Sequence, residues 1–187
     1  MVFVSGLSIC IISGLYTSLW GAFKDSPYES LKRTTFPRSI YFNICIFLFL
    51  YTVPYWRSMV NELGLFQIFF AVMGIERALA EIYKGFFRSE DQDKYFIPSR
   101  VTYFGKPVLS DKLRYAAGLI MIALILLFVS IKLEIESFWA YVIMAYCTGL
   151  VVSIGGAYKD APFEGFHFLK FQRSSIVLVI LSPLFYL

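Results

Sequence analysis

The sequence predicts an all-α polytopic integral membrane protein, with six transmembrane helices arranged as three parallel, related hairpins. The first reason is composition, because 58% of the 187 residues are hydrophobic and only 16% are charged. The second is the length of the apolar runs, several of which approach the ~20 residues that a helix needs to cross a bilayer. The third is an internal repeat, in which a shift of 135 residues aligns 14–39 with 149–174 without a gap.

The apolar runs are continuous rather than alternating, which favours helices over membrane strands. The predicted spans are Val2–Phe23, Ser39–Trp56, Leu63–Tyr83, Tyr115–Ile131, Phe138–Tyr158 and Ser174–Leu187. The last run is short for a hydrocarbon core of ~30 Å. We therefore expect its helix either to begin before Ser174 or to end inside the membrane against a neighbour.

The distribution of basic residues predicts the orientation of these spans. All but Arg57 and Lys132 of the 17 Lys and Arg residues lie at or near the loops after spans one, three and five. The positive-inside rule places these loops in the cytoplasm and both termini on the other side of the membrane. The default location is the plasma membrane. The same rule accounts for the net charge of +4, so we predict membrane lipids and no nucleic acid as partners.

A stripe of small residues in span one recurs in register in span five. It comprises Gly14, Ser18 and Ala22 in the first copy and Gly149, Ser153 and Ala157 in the second. Small residues at this spacing let two helix backbones approach closely in lipid. The membrane half of the repeat is therefore predicted to pack helices.

Spans three and four resemble a third, diverged copy. Gly74 and Ala78 continue the small-residue spacing, and Tyr83-Lys84 takes the place of the aromatic–lysine pair that ends the other copies. The predicted hairpins are about 1–58, 59–133 and 134–187. Because each begins on an odd-numbered span, the three hairpins are parallel, which predicts a pseudo-threefold bundle.

The second half of each repeat is a charged segment, Lys-Asp-x-Pro-x-Glu, predicted to be a loop. Its acids are Asp25 and Glu29 in the first copy and Asp160 and Glu164 in the second. Four carboxylates at one cytoplasmic mouth suit Mg²⁺, with a substrate phosphate completing the shell. The basic residues predicted to hold phosphate oxygens are Lys24, Lys159, Arg38 and Arg173.

The same segments have a simpler interpretation as helix caps. Asp caps a helix N-terminus, Pro fits the first turn, and acids there complement the macrodipole. This alternative needs neither metal nor substrate.

The acid Glu76 lies inside span three, about 10 Å below its cytoplasmic end by helix rise. Ionisable residues at such a depth are costly and usually have partners within the bundle. Arg77 and Glu81 are four residues apart and can pair with each other, which leaves Glu76 in need of Arg, Lys or water from another helix. Glu76 is predicted to be catalytic and Arg77 to bind substrate, the alternative being an ion pair that only locks the bundle.

Other chemistries find little support. His167 is the single histidine, which excludes multi-histidine metal sites and bis-histidine haem ligation. Cys10, Cys45 and Cys147 lie inside spans without CxxC spacing, and we expect buried thiols. The sequence contains no Walker loop, no Rossmann fingerprint and no Gly-x-Ser-x-Gly motif.

The Pro-x-Glu segments resemble the Pro-x-Glu-(Glu/Asp) motif of the small membrane lycopene cyclases over a few residues. Here Pro27-Tyr28-Glu29 is followed by Ser30, and Pro162-Phe163-Glu164 is followed by Gly165. The second acid of the motif is absent from both copies.

Three functional hypotheses follow. The leading one is a membrane enzyme that acts on a lipid or isoprenoid, including a phosphorylated one, with its site at the cytoplasmic mouth. The second is a small ion- or proton-coupled transporter or channel in which Glu76 is the coupling group. The third is an accessory subunit that packs against partner subunits of a larger membrane complex.

Overall fold

The computed structural model describes residues 2–29, 33, 36–89, 100–103, 106–130 and 135–186 of the chain. Most of them are helical, which confirms the predicted all-α fold. The α-helices of this part are α1 (Val2–Glu29), α2 (Arg38–Thr52), α3 (Pro54–Glu62), α4 (Leu65–Ile82), α5 (Asp111–Ser130), α6 (Phe138–Glu164), α7 (Phe168–Leu181) and α8 (Pro183–Tyr186). A π-helical turn (Tyr83–Phe87) follows α4, and a short antiparallel hairpin joins β1 (Thr102–Tyr103) to β2 (Lys106–Pro107).

Among the described residues, one helical segment, Phe3–Phe23 of α1, is by itself long and apolar enough to cross a membrane. Helices α2 and α3 meet the same criterion together, although they are bent by 108° relative to each other. Shorter apolar stretches lie at Phe138–Val151 in α6 and Gln172–Leu181 in α7. The last helical run begins at Phe168, which agrees with the expectation that its helix starts before Ser174.

The chain divides into two compact units, Met1–Glu81 and Ile82–Leu187. Unit 1 contains α1 to α4, and unit 2 contains the π-helical turn, the β-hairpin and α5 to α8. The boundary between the units lies inside the predicted hairpin 59–133, and the division into three hairpins stays a prediction.

The predicted span Ser39–Trp56 is wrong as a single straight helix. Helix α2 ends at Thr52, Val53 is extended with φ −80° and ψ 120°, and α3 begins at Pro54. The cause is local, because a proline clashes with a helical residue before it and fits the first position of a new helix. The apolar composition alone does not reveal this bend.

The core of unit 1 receives side chains from all four of its helices. Its buried apolar residues are Cys10, Ile46, Phe47, Val60, Ile68 and Val72. Gly6 makes room for the Phe47 ring, since a Cβ at Gly6 would lie 2.6 Å from Cζ of that ring. This core fills the part of the unit near the N-terminal half of α1 and the C-terminal half of α2.

The two copies of the repeat pack their helices in the same way. A Cβ added to Gly14 would lie 2.4 Å from Cα of Ile40, and one added to Gly149 would lie 2.4 Å from Cα of Ser175. The contacted residues are themselves related by the 135-residue shift. Helices α1 and α2 therefore cross backbone to backbone at the same glycine as α6 and α7, an approach that any larger residue would prevent.

Gly74 of the proposed third copy has no such contact, because no described atom lies within 4 Å of a Cβ added there. In unit 2 a different glycine is crowded by aromatic residues. A Cβ added to Gly118 of α5 would lie 2.7 Å from Cβ of Phe86 in the π-helical turn. Close packing of α5 thus involves aromatic side chains rather than a neighbouring backbone.

The charged segment of each repeat is helical, so the predictions of a loop and of helix caps are wrong. Helix α1 continues to Glu29 and α6 to Glu164, which puts Pro27 and Pro162 in the last turn of a helix instead of the first turn of the next. A proline so close to a helix end removes a single backbone hydrogen bond. Gly165 then ends α6 with φ 76°, a conformation that suits glycine.

A buried arginine organises the start of α5 in unit 2. The Arg114 side chain is fully buried and donates to the carbonyl of Arg88 at 2.8 Å and to the carboxylate of Asp111. Its guanidinium also lies 5.4 Å from the ring centroid of Tyr115. The backbone N–H of Val101 donates to the carbonyl of Gly85 at 3.0 Å. These contacts tie the loop before α5 to the π-helical turn.

The expectation of three buried thiols holds for Cys10 and is wrong for Cys45 and Cys147, which are exposed. Helices α2 and α6 are apolar on several faces, so an apolar neighbourhood in sequence does not imply protein around the side chain. In a bilayer, lipid supplies that surrounding instead.

Candidate functional site at Glu76

Glu76 is held inside unit 1 by the part of α4 that packs against α1 and α2. The residue is 5% exposed, although it is an acid in an apolar helix. Buried side chains with polar groups line the neighbouring helix faces, Ser13 and Thr17 on α1 and Ser39 and Asn43 on α2. Each pair is spaced by one helical turn and so lies on one face. Glu76 and these four residues are called the polar strip.

The carboxylate of Glu76 is positioned by a residue from another helix. The Ser39 hydroxyl donates to Oε1 of Glu76 at 3.1 Å. Because a serine hydroxyl carries a single proton, this bond commits the Ser39 donor to the carboxylate. The partner of Glu76 on another helix is therefore a serine, where the sequence predicts an arginine, a lysine or water.

A second chain of hydrogen bonds lies one turn further along α2. The Ser13 hydroxyl donates to the carbonyl of Phe69 at 3.0 Å, and Nδ2 of Asn43 donates to Oγ of Ser13 at 3.1 Å. A carbonyl only accepts, so the Ser13 proton must go to Phe69 and Asn43 must present its N–H to Ser13. This order fixes the amide of Asn43 with its oxygen directed away from Ser13.

Four buried oxygens of unit 1 have no hydrogen-bond partner among the residues that the structure describes. They are Oγ1 of Thr17, Oγ of Ser18, Oδ1 of Asn43 and Oε2 of Glu76. Most buried polar atoms in proteins are paired, because an unpaired one costs about 1–3 kcal/mol. Ser18 corresponds to Ser153 of the second copy, whose Oγ likewise has no partner among the described residues, so it is the buried acceptors of Asn43 and Glu76 that point to a ligand.

Of the other predicted site residues whose side chains are described, Arg77 lies next to Glu76. Its Nε lies 3.6 Å from Oε2 of Glu76, which is an ion-pair distance but too long for a hydrogen bond. The Arg77 side chain is 46% exposed and that of Glu76 is 6% exposed. The guanidinium therefore marks the outer side of the site.

The polar strip is closed at its inner end by the apolar core. Along α2, Ser39 and Asn43 are followed by Ile46 and Phe47, both buried. Along α1, the strip gives way to buried Cys10 in the direction of the N-terminus. In the described part of unit 1 the strip therefore opens toward Arg77 and ends against apolar side chains.

The other predicted site residues are placed by their helices. Asp25, Glu29 and Lys24 lie near the C-terminal end of α1 in unit 1, and Asp160, Glu164 and Lys159 near that of α6 in unit 2. Their side chains are outside the described part of the structure, so a shared mouth stays a prediction. Arg38 begins α2 and Arg173 lies within α7, both exposed.

The described residues contain no group of three or more His, Cys, Asp or Glu side chains placed to hold a metal ion. Mg²⁺ at the repeated charged segments therefore stays a prediction about side chains outside the described part. Within the polar strip, the one acidic group is Glu76.

The sequence indicates Glu76 and Arg77 as site residues but does not indicate a role in this site for Ser39, Asn43 or Thr17. The available signal was their spacing, because Ser39 and Asn43 are polar residues one helical turn apart in an apolar helix. What the sequence lacked was which of the other helices this face meets.

Comparison with known proteins gives no independent assignment, since no family model, no curated protein and no solved structure matches this chain.

Proposed function

We propose that the chain is a six-span membrane enzyme that acts on a lipid or isoprenoid substrate, with Glu76 as its acid–base group. The observation that carries the proposal is the asymmetry of the Glu76 carboxylate. Oε1 accepts the Ser39 proton, whereas Oε2 is buried without a hydrogen bond among the described residues. A carboxylate that is oriented through Oε1, and whose Oε2 faces the half-exposed Arg77 guanidinium without a hydrogen bond, is suited to exchanging a proton with a bound substrate.

The environment of Glu76 favours a substrate that enters from the membrane. The outer surfaces of α1 and α2 carry many exposed apolar side chains, such as Tyr16, Trp20 and Phe49. Exposed apolar surface of this extent is typical of contact with lipid or with a partner protein. It supports a membrane location for the chain, and the six spans, cytoplasmic loops and non-cytoplasmic termini of this proposal rest on the apolar runs and the distribution of basic residues in the sequence.

Glu76→Gln tests this proposal, because the amide keeps the shape of the side chain and loses its acid–base chemistry. Lipid extracts of cells producing the wild type, Glu76→Gln or a no-protein control are compared by mass spectrometry. The expected result is at least one lipid changed by the wild type alone, with the variant equally abundant in the membrane. Identical lipid profiles for wild type and variant would contradict the enzyme proposal.

The repeated charged segments are tested separately. Unfolding temperature is followed in mild detergent while Mg²⁺ is titrated with and without pyrophosphate or a prenyl phosphate. A variant with Asp25, Glu29, Asp160 and Glu164 changed to amides is measured alongside. Ligand that binds only the native state stabilises it, so saturable stabilisation lost in the variant supports a substrate role for these acids. A flat response of both proteins removes them from the site.

A second candidate, an ion- or proton-coupled transporter, is favoured by one observation. Buried acceptor oxygens from Asn43 and Glu76 without partners are also what a coupling ion requires. The apolar closure beyond Asn43 weighs against a continuous path through unit 1. Ion uptake by proteoliposomes that disappears in Glu76→Gln would favour the transporter over the enzyme.

A further inference from the structure

The oxygens of the polar strip that lack partners differ in what they can bind. A carboxylate oxygen and an amide oxygen only accept hydrogen bonds, whereas a hydroxyl both donates and accepts. Oε2 of Glu76, which has the Arg77 guanidinium at ion-pair distance, and Oδ1 of Asn43 can therefore accept hydrogen bonds from a ligand but cannot donate to it. Both oxygens belong to the polar strip, in which Ser39, the donor to Glu76, precedes Asn43 by four residues on α2.

The Asn43 oxygen cannot be converted to a donor by turning the amide over. Turning it would place an acceptor against Oγ of Ser13, whose one proton is already given to the carbonyl of Phe69. The Phe69 carbonyl thus fixes the Asn43 oxygen as an acceptor, because it takes the Ser13 proton and Ser13 must then accept from the Asn43 N–H.

Charge points in the same direction. A phosphate at the unpaired side of Glu76 would bring a second anion against a buried carboxylate, where charge repulsion is poorly screened. A ligand with a positive charge and several N–H donors can donate hydrogen bonds to both oxygens and also neutralise the charge of the Glu76 carboxylate. Charge-assisted hydrogen bonds of this type are roughly twice as strong as neutral ones.

Arg77 adds the complementary half of a zwitterion. Its guanidinium lies 3.6 Å from Oε2 of Glu76 and is half-exposed on the outer side of the site. An ammonium at Glu76 would leave this guanidinium free to hold a phosphate a few ångströms further out. From inside to outside, the protein therefore presents a negative charge (Glu76) and then a positive charge (Arg77). An ethanolamine phosphate group with its ammonium innermost presents the complementary order, positive and then negative.

We propose that the polar strip binds the primary ammonium group of an aminolipid, with the N–H donors on Glu76 and Asn43 and the lipid phosphate on Arg77. This inference rests on the proposed lipid-acting enzyme and names its substrate class. It also assigns the two charges of the lipid to different residues. The ammonium binds the Glu76 carboxylate inside the strip, and the phosphate binds Arg77 outside it.

The test uses the full chain in mild detergent and a graded series of phospholipids with the same acyl chains. Phosphatidylethanolamine and its N-methyl, N,N-dimethyl and N,N,N-trimethyl derivatives have three, two, one and no N–H donors at constant charge. Two acceptors need two donors. We expect saturable thermal stabilisation by the first two lipids and an apparent affinity weaker by about tenfold or more once fewer than two donors remain.

Variants assign the effect to the strip. Glu76→Gln and Asn43→Leu are expected to abolish the dependence on N-methylation, and Arg77→Gln is expected to weaken phosphatidylethanolamine without weakening dodecylamine. Glu81→Gln is the matched control, because it removes an exposed acid from the same helix. If Asn43→Leu does not fold, Glu76→Gln carries the comparison.

Three results would overturn the inference. Equal stabilisation across the methylation series would show that N–H donors are not read. Stabilisation by sodium chloride over N-methylglucamine chloride, lost in Glu76→Gln, would make the ligand a small cation. Stronger stabilisation by phosphatidic acid than by phosphatidylethanolamine would place phosphate in the strip. None of these results decides the enzyme proposal, which is tested separately by comparing lipid turnover in cells that produce the wild type or Glu76→Gln.

Discussion

Gly14 lies against the backbone of Ile40, so closely that a Cβ on Gly14 would be 2.4 Å from Cα of Ile40. Gly149 stands in the same relation to Ser175, in the other unit of the chain. A Cβ at this distance from a neighbouring backbone cannot be accommodated by turning a side chain. Each helix pair must therefore separate if its own glycine is enlarged.

We expect Gly14→Ala and Gly149→Ala each to destabilise the protein by about 1–3 kcal/mol or more, as overpacked cores do. The measurement is unfolding by heat or denaturant in mild detergent. Gly21→Ala is the control, since no described atom lies within 4 Å of a Cβ at that position and alanine is the better helix former. Equal stability of the Gly14 and Gly21 variants would contradict the close crossing.

The hydrogen bond from Ser39 to Glu76 makes a prediction about both stability and function. Ser39→Ala leaves Oε1 of Glu76 buried and unpaired, at a cost of about 1–3 kcal/mol. The same change frees the carboxylate to rotate, so we expect turnover to fall. Ser58→Ala is matched to it, because that hydroxyl is exposed and donates to the carbonyl of Tyr55 within α3.

A destabilised Ser39→Ala variant with full turnover would show that Ser39 supports the fold without orienting the acid. A double-mutant cycle of Ser39→Ala with Glu76→Gln then measures the interaction energy between these two residues. Coupling between the two changes is expected, because they share one hydrogen bond.

The three cysteines test whether α1, α2 and α6 lie in the membrane. In sealed vesicles we expect a charged, water-soluble maleimide to leave single-cysteine variants at Cys10, Cys45 and Cys147 unlabelled. A small apolar thiol reagent is expected to reach Cys45 and Cys147 before Cys10, since only Cys10 is buried in protein. Rapid labelling of Cys45 by the charged reagent would place that face of α2 in water.

Arg114 predicts a local stability effect in unit 2. Arg114→Met removes both the donor to the carbonyl of Arg88 and the partner of Asp111, from a position with no exposed surface. Losing one partner of a buried ion pair typically costs about 3–5 kcal/mol, but Asp111 is largely exposed, which lowers the cost to about 1–3 kcal/mol. Proteolysis of the segment before α5 should become faster.

Lys112→Met is the control for Arg114, because Lys112 is exposed in the same helix turn. Protease resistance retained by Arg114→Met would show that the loop is held by its backbone contacts alone, such as the bond from Val101 to Gly85.

The repeat shows how far local sequence reaches. The glycine stripe of Gly14 and Gly149 predicted close helix packing, and both glycines do contact a neighbouring backbone. The charged segment that follows was misread, because a proline that suits the first turn of one helix also fits in the last turn of another. Nothing within Lys-Asp-x-Pro-x-Glu distinguishes these two cases until the helix end is located at Gly165.

The candidate site was half predictable. A carboxylate deep in an apolar span identified Glu76, since burying charge is costly wherever it occurs. Its partner Ser39 lies 37 residues earlier, and small polar residues in membrane helices have many roles. The choice among them depends on which helix faces meet, which is a property of packing between helices.

The sequence by itself determined the helical class, the internal repeat and the acid around which the site is built. These follow from apolarity, spacing and desolvation cost, which act locally along the chain. Only the tertiary structure decided the bend between α2 and α3, the pairing of Ser39 with Glu76 and the acceptor orientation of Asn43. The Ser39–Glu76 pairing and the orientation of Asn43 both depend on where a second helix places a donor or a carbonyl. These positions are set by the packing of α1, α2 and α4 against one another, which no local stretch of sequence specifies.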